Sequence, residues 1–509
     1  MIDLTPLART LFAHRVKASR SWSGRISAVQ TKELQSLLRR GADTLIGQRL
    51  GFKYLKDYET FARKVPVVSY EDIRADVMRM VVGERDILWP GRCVRFAQSS
   101  GTSDGKSKYI PVTDDSLKIN HYAGGRDVVA HYLDINPQSR MFSGKAFILG
   151  GSFANEVRDL PVGVKVGDLS ANLIDNINPV VNLFRVPQKK IALMADWREK
   201  LPALVKASIS ENITNISGVP SWFMTVLRNV IAEAGATTIH DVWPNLEVFF
   251  HGGISFEPYR EQYAAMTDPS KMHYLETYNA SEGFFAVQTS DDTRAMQLLL
   301  DIGVFYEFVP LDQVGLEFPD ALPAWQVEAG RTYALIITAC NGLWRYAIGD
   351  TVRIASTDPL KITIAGRTKH FINAFGEEVM VHNTDAALAE ACRRTGASVL
   401  DYTVAPVYDD GGHRGHHQWL VEWSNPPVDK KEFAIILDQA LQSVNSDYQA
   451  KRAGDIFLDN LTITDASPGL FDRWLESTGK LGGQRKIPRL SNDRNVIEKM
   501  LKFNNHKNP

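Results

Sequence analysis

"ITNISGVPSWFMTVLRNVIAEAGA", Ile213–Ala236, is the stretch whose reading decides the fold. Its opening residues suit a strand and stop at Gly218. Pro220 then stands where a helix takes its first turn, a place that tolerates a residue with no N–H and a fixed φ. Apolar residues follow at helical spacing through "VPSWFMTVLRNVIAEAGA", Val219–Ala236. The same order of strand, glycine turn and polar end recurs in "KAFILGGSF" (Lys145–Phe153), "LEVFFHGGISF" (Leu246–Phe256) and "MHYLETYNASEG" (Met272–Gly283). Helical stretches lie between them. This grammar predicts an α/β fold with sheets flanked by helices, and ligands bound beyond the carboxyl ends of the strands.

Working outward, residues 30–80 read as helices. "ELQSLLRRGADTLIGQRLGF" (Glu33–Phe52) has helical spacing and a glycine stop, and "VPVVSYEDIRADVMRMV" (Val65–Val81) offers Ser69 as an N-cap with acids in the first turn. The opening "LTPLARTLFAHRVKASRSWSGR" (Leu4–Arg25) has the Arg- and Ser-rich composition of an organelle transit peptide, but its spacing favours an amphipathic helix with Leu7, Leu11, Phe12 and Val16 on one side. After "RTYALIITACNGLWRYAIGDTVRI" (Arg331–Ile354) the texture changes, and helices mix with alternating strands from "ITIAGRTKHFINAFGEEV" (Ile362–Val379) onward. We expect a large N-terminal domain, residues 1–366, and a smaller α+β C-terminal domain, residues 367–509.

The bulk numbers exclude some classes. The chain has 509 residues, 44% hydrophobic, enough for two cores. Its 58 basic and 59 acidic residues leave a net charge of -1, so no overall field draws nucleic acid or an anionic membrane. No apolar run is long enough to span a bilayer. Cys93, Cys340 and Cys392 are scattered, which argues against a disulfide framework or a cysteine zinc site and fits a reducing compartment such as the cytoplasm.

"SSGTSDGKSKYIP" (Ser99–Pro111) carries the chemistry. It fails the template G-x-x-x-x-G-K-S/T by one residue, because Gly101 stands too close to Gly105-Lys106-Ser107. Open glycine backbone, the hydroxyls of Ser99, Ser100, Thr102 and Ser103, and Lys106 and Lys108 still suit an anion. A hydrophilic β-turn has the same composition. "YNASEG" (Tyr278–Gly283) and "GLWRYAIGD" (Gly342–Asp350) add an aromatic and two carboxylates. A nucleotide needs a flat surface for its base, a carboxylate for Mg²⁺ and another for its ribose hydroxyls. Singly, Tyr278 reads as core, Glu282 as a cap and Asp350 as a strand end; together they point to a nucleotide.

These three segments, in this order, resemble the motifs of the adenylate-forming superfamily of acyl-CoA ligases and luciferases. Within it the chain resembles the Gretchen Hagen family of acyl-acid amido synthetases, known from plants as auxin-responsive proteins. The resemblance runs from "LLRRGADTLIGQRLGF" through "FARKVPVVSYED", "GVPSW", "FHGGISF", "YNASEGFF" and "LWRYAIGD" to "GGQRKIPRLSNDR". It implies an enzyme that spends ATP to adenylate a small carboxylic acid, releasing pyrophosphate, and then passes the acyl group to the amine of an amino acid. Closure of the small domain over the site would keep water off the anhydride.

By that resemblance Ser99, Ser100, Gly101, Thr102 and Ser103 hold the outgoing phosphates, assisted by Lys106. Gly252 and Gly253 lie along adenine, Tyr278 stacks on it beside Asn279, Ser281 touches the α-phosphate, Glu282 holds Mg²⁺, and Asp350 takes the ribose with Arg345 lining the site. A catalytic lysine is expected from "STGKLGGQRKIPR": Lys486 first, Lys480 in reserve. The hinge is expected at Arg367–Lys369, although the acidic pair usual after that arginine is missing. Ser221, Trp222, Phe223 and His251 are candidates to line the acyl pocket, against the plainer reading of aromatics as core. The "GHRGHH" group (Gly412–His417) reads as a polar loop rather than a metal site.

Two rival functions remain at this point, an acyl-CoA ligase sharing the first half-reaction and a non-catalytic binder. The intact serine-rich loop, Glu282 and Asp350 argue against the second. A monomer or weak homodimer is expected.

Overall fold

The computed structural model describes residues 3–99, 108–153, 155, 157, 160–253, 256, 259–367, 371–377, 379–408, 415–453, 458–477 and 489–505. The chain divides into two compact units. One comprises Met1–Ser99, Lys108–Phe256 and Tyr263–Thr368, and the other centres on Lys369–Pro509.

The strands of the first unit, in chain order, are β1 (Arg95–Ser99), β2 (Lys108–Pro111), β3 (Lys145–Ile148), β4 (Lys165–Gly167), β5 (Arg185–Val186), β6 (Ile213–Gly218), β7 (Val248–His251), β8 (His273–Ala280), β9 (Gly283–Gln288), β10 (Met296–Leu298), β11 (Val304–Pro310), β12 (Leu322–Pro323), β13 (Thr332–Ala339), β14 (Leu343–Thr357) and β15 (Leu360–Arg367). β2, β1 and β4 make a small sheet. The other twelve form one large sheet in the order β12-β11-β13-β14-β15-β10-β9-β8-β7-β6-β3-β5.

The large sheet has two halves. β5, β3, β6, β7 and β8 are parallel, and from β8 onward every pairing is antiparallel. The parallel half is built from the strand–glycine–helix segments read in the sequence. β7 is buried along its whole length, as expected of a parallel strand covered on both faces. The helix after β6, Pro220–Ala234, starts at its proline and ends at Gly235 with φ 61°, the left-handed conformation glycine adopts without steric cost. The chain runs from β3 outward to β5, returns to β6 and proceeds to β7 and β8. The topological switch point therefore lies between β3 and β6.

Among the early helices, Tyr70–Val81 opens on the expected N-cap Ser69, which forms a capping box with Asp72, and Leu45–Leu50 ends at Gly51 in the left-handed region. The first helix, Thr5–Arg20, corrects one expectation: Leu7 and Leu11 are exposed, and its inner face is Thr5, Ala8, Phe12, Val16 and Ser19. Arg15 sets this rotation, because its guanidinium donates to both Asp127 and Asp301.

A second correction concerns Arg345. Rather than lining a ligand site, it is fully buried. Its Nε donates to Glu307 at 3.0 Å, and its Nη1 donates to the carbonyls of Ala62 and Val65 at 2.7 Å. A guanidinium spent this way ties the Tyr58–Lys64 helix to β11 and β14. Its backbone sits at φ 43°, where β14 is irregular against β13.

The second unit adds β16 (Phe371–Ile372), β17 (Val379–Met380), β18 (Ser398–Tyr408), β19 (Gly415–Asn425) and β20 (Thr462–Asp465), with β18, β19 and β20 in one sheet in that order. Trp419, Phe433, Leu437 and Leu441 share its core with the helices Val381–Thr395 and Lys430–Val444. Of the histidine-rich group, residues 412–414 lie outside the described residues, and Gly415, His416 and His417 belong to a strand. His417 lies in β19, fully buried, with its Nε2 2.8 Å from Glu377. Among the described residues no helix is long and apolar enough to cross a membrane.

Candidate active site

β8 and β9 meet in a two-residue turn, Ser281-Glu282, closed by the pair Ala280 and Gly283. Sequence reasoning found this turn but missed what holds it. Asn120 sits at the end of a π-helical stretch, Ser116–His121. Its amide donates to the carbonyls of Phe284 (2.9 Å) and Ile302 (3.1 Å), while its carbonyl oxygen accepts from Phe284 N at 2.6 Å. Asn341, in the turn between β13 and β14, donates to the Glu282 carbonyl at 3.0 Å. Two buried carboxamides thus grip the turn from different elements. A single polar residue in an apolar context is too common to have flagged either one. Gly124 lets the Tyr122–Ile135 helix lie flush on β9, since a Cβ there would come within 2.4 Å of the Phe284 ring. The neighbouring His121 is also buried, and burial pushes its pKa down to about 4, so its imidazole is neutral at physiological pH.

The turn between β13 and β14 also meets the chain just past β2. Thr113, two residues past β2, donates its hydroxyl to the Cys340 carbonyl at 2.8 Å. β1 and β2 are paired up to Ser99 and Lys108, so Ser99 closes the described part of that hairpin. Ser100, Gly101, Thr102, Ser103 and Lys106 lie outside the described residues, as do Lys480 and Lys486.

Tyr278 and Asp350 meet directly. They belong to β8 and β14, with β9, β10 and β15 between those strands in the sheet order, yet the Tyr278 hydroxyl donates to Asp350 Oδ2 at 2.5 Å. Both are nearly buried, and the Tyr278 ring stands edge-on to Phe285 at 5.0 Å. Asn279 follows on β8, half-buried and opposite Phe284.

Gly252 and Gly253 continue from the carboxyl end of β7. A Cβ on Gly252 would come within 2.4 Å of the Thr277 carbonyl oxygen, and Gly253 has φ 84°. The loop therefore lies against β8 as only glycine permits. His251 is buried, stacked on Phe256 at 4.3 Å between ring centres. Of the acyl-pocket candidates, Phe223 is core: fully buried, it packs on Phe147 and Phe249. Trp222 is half-buried and faces Trp197. Ser221 is the second residue of the same helix.

Among the described residues no three His, Cys, Asp or Glu side chains cluster to hold a metal. Mg²⁺ commonly binds through one or two carboxylates plus substrate phosphates, so a single carboxylate would be enough for it at this site.

The fold is that of a two-unit α/β protein with one large mixed sheet in its first unit. The chain belongs to the GH3 family, the Gretchen Hagen family: its N-terminal domain profile matches residues 17–272, its central domain 297–367 and its C-terminal domain 382–495. The chain is 23% identical over 541 aligned positions to GH3.3 of Arabidopsis thaliana, an indole-3-acetic acid-amido synthetase, across 91% of this chain and 89% of that protein. A similar match, 23% over 543 positions, joins it to GH3.8 of Oryza sativa subsp. indica, which carries the same description, across 91% of this chain and 88% of that protein. Among solved structures, the acyl acid amido synthetase AtGH3.15 in complex with 2,4-DB superposes with a TM-score of 0.62 at 18% identity, covering 96% of this chain and 95% of that one.

Proposed function

We propose that this protein is an ATP-dependent acyl acid amido synthetase that converts a small carboxylic acid to its acyl-adenylate and then to an amide with an amino acid. The observation that carries this reading is the Tyr278–Asp350 contact, which joins two motif segments 72 residues apart at one place in the first unit. The acid's carboxylate oxygen attacks the α-phosphorus of ATP, the bond to the β-phosphate oxygen breaks, and pyrophosphate leaves. The amine nitrogen of the acceptor then attacks the acyl carbon, loses a proton, and AMP departs with the C–O bond electrons.

Asp350, oriented by the Tyr278 hydroxyl, accepts from the ribose hydroxyls. Gly252 and Gly253 let backbone approach the base, one face of which lies by Tyr278. The Ser281-Glu282 turn is pre-set by Asn120 and Asn341, so little reorganisation is needed when charge builds on the α-phosphate. Glu282 would hold Mg²⁺, which supplies charge neutralisation at the phosphates. Ser99 through Ser103 with Lys106 grip the leaving group, and Lys486, with Lys480 in reserve, is the catalytic lysine. The enzyme works in the cytoplasm as a monomer or weak homodimer; its thiols, Cys93 and Cys340 buried and Cys392 half-buried, suit a reducing compartment.

The test is exchange of labelled pyrophosphate into ATP. Exchange that depends on an added carboxylic acid is expected. Mass spectrometry of products from the same acids with pooled amino acids, and separately with coenzyme A, is expected to find amides. Acid-independent behaviour, or thioesters alone, would overturn the reading.

A further inference from the structure

His121 stands beside Asn120, the residue that grips the Ser281-Glu282 turn, and packing alone does not explain it. Asn120 binds both backbone polar groups of Phe284 on β9. The cross-strand partner of Phe284 on β8 is Asn279. Asn279 is also the side chain whose polar group acts on the His121 ring, against the burial that keeps that ring neutral. Two successive residues of one π-helical stretch, Ser116–His121, therefore address the two members of one strand pair. Such helical irregularities are frequent at functional sites.

The polar atoms at this place are poised rather than satisfied. His121 is 4% exposed, and among the described residues neither of its ring nitrogens has a hydrogen-bond partner of regular geometry. The same holds for Asn279 Oδ1, which is covered. Asn279 as a whole is half-buried, so its Nδ2 end is the part that remains open. A neutral imidazole N–H can donate to the covered oxygen, which fixes the amide and leaves its N–H groups to a ligand. An apolar side chain of similar volume would fill the same space without the cost of unpaired buried polar atoms. His131, on the helix Tyr122–Ile135, supplies the contrast. It is equally buried, and its pKa is likewise pushed down to about 4 by burial, but the charged groups around it are Asp134, Arg20, Arg15 and Lys361, none of them a residue of the turn.

Resting on the ligase reading, we infer that His121 is a positioning residue for the adenylation step, its imidazole N–H donating to Asn279 Oδ1 so that the Asn279 amide nitrogen donates to an oxygen of the α-phosphate held at Ser281. Charge grows on that phosphate as the acid attacks, so a fixed donor there acts on the transition state more than on bound ATP. No proton is transferred, and the imidazole stays neutral throughout.

The experiment measures acid-dependent pyrophosphate exchange by the full chain, at varied ATP, in wild type, Asn279→Ala, His121→Leu, His121→Gln, the double variant His121→Leu/Asn279→Ala, and His131→Leu. Asn279→Ala is expected to lower kcat about a hundredfold and His121→Leu about tenfold, with KM for ATP within about threefold in both. His121→Gln, which keeps an N–H donor, should recover most of the loss. The double variant should be no slower than Asn279→Ala, because His121 acts through Asn279. His131→Leu should stay within about twofold of wild type, which separates the role from the cost of a buried histidine as such. Wild-type kcat in Asn279→Ala or His121→Leu, a loss that falls on KM for ATP instead, a multiplicative loss in the double variant, or His121→Gln no faster than His121→Leu would overturn the inference, while acid-dependent exchange in wild type upholds the ligase reading. If wild type exchanges with no acid, the ligase reading falls. In that case, or if His121→Leu does not fold, nitrogen NMR of isotope-labelled histidine, assigned from His121→Gln, judges the pair alone. A single His121 tautomer in wild type that becomes a mixture in Asn279→Ala supports it, and the same tautomer balance in both refutes it.

Discussion

Replacing Tyr278 with Phe removes one oxygen from the contact on which the functional reading stands. That hydroxyl donates to Asp350 at 2.5 Å, with tyrosine and carboxylate exposed by only 5% and 7%. The ring packing on Phe285 is unaffected, since Phe keeps the ring. What is lost is a hydrogen bond to a carboxylate in a place water hardly reaches, worth about 1.5–3 kcal/mol. If Asp350 holds the ribose only when so oriented, most of that appears in nucleotide binding, as a rise of about tenfold to a hundredfold in KM for ATP. KM for the acid should move little. Pyrophosphate exchange at varied ATP measures it. A second leg sharpens the test: Asp350→Asn is expected to be as damaging or worse, and Tyr278→Phe/Asp350→Asn no worse than Asp350→Asn alone, because two residues acting through one contact do not add. A Tyr278→Phe enzyme with wild-type KM for ATP, or strictly additive losses, would refute the reasoning.

Further outcomes follow from other sites. Glu282→Ala should reduce Mg²⁺-dependent exchange by about a hundredfold or more while leaving the fold intact by circular dichroism, since Asn341 grips only the Glu282 backbone. Gly252→Ala should abolish nucleotide binding or lower stability by about 1–3 kcal/mol, because the methyl group would meet the Thr277 carbonyl at 2.4 Å. Arg345→Met should cost about 3–5 kcal/mol in denaturant unfolding by leaving Glu307 buried without its partner, and Glu307→Leu added to it should return much of that loss. Glu33, pushed up to about 7 by burial, with Asp301 adding to the shift against the Gly303 N–H, holds a proton in the folded chain that the unfolded chain has lost between its ordinary value and about 7. Its contribution therefore makes stability fall as pH rises through that window. Glu33→Gln keeps an acceptor for Gly303 and should stabilise the protein by about 1–3 kcal/mol at pH 8 and little near pH 5.

The local rules were readable because they act over a few residues. Pro220 opens its helix, Ser69 caps its own, and the glycine-ended strands form the parallel half of the sheet, since capping, φ preference and apolar periodicity need only near neighbours. The same locality explains the misses. Leu7 and Leu11 had the spacing of an inner face, but Arg15, reaching Asp127 and Asp301, turned the helix the other way. Arg345 sits among motif residues and looked like a ligand group, but its partner Glu307 is 38 residues earlier in sequence and across the sheet.

By itself, then, the amino-acid order determined which stretches are strand, turn and helix, and which motif segments to read together for a nucleotide. Only the tertiary structure decided who meets whom: Tyr278 with Asp350, Asn120 and Asn341 with the Glu282 turn, Trp197 with Trp222. The physical reason is that a twelve-stranded sheet fixes these meetings through strand order and twist, properties of the whole chain's packing that no short window contains.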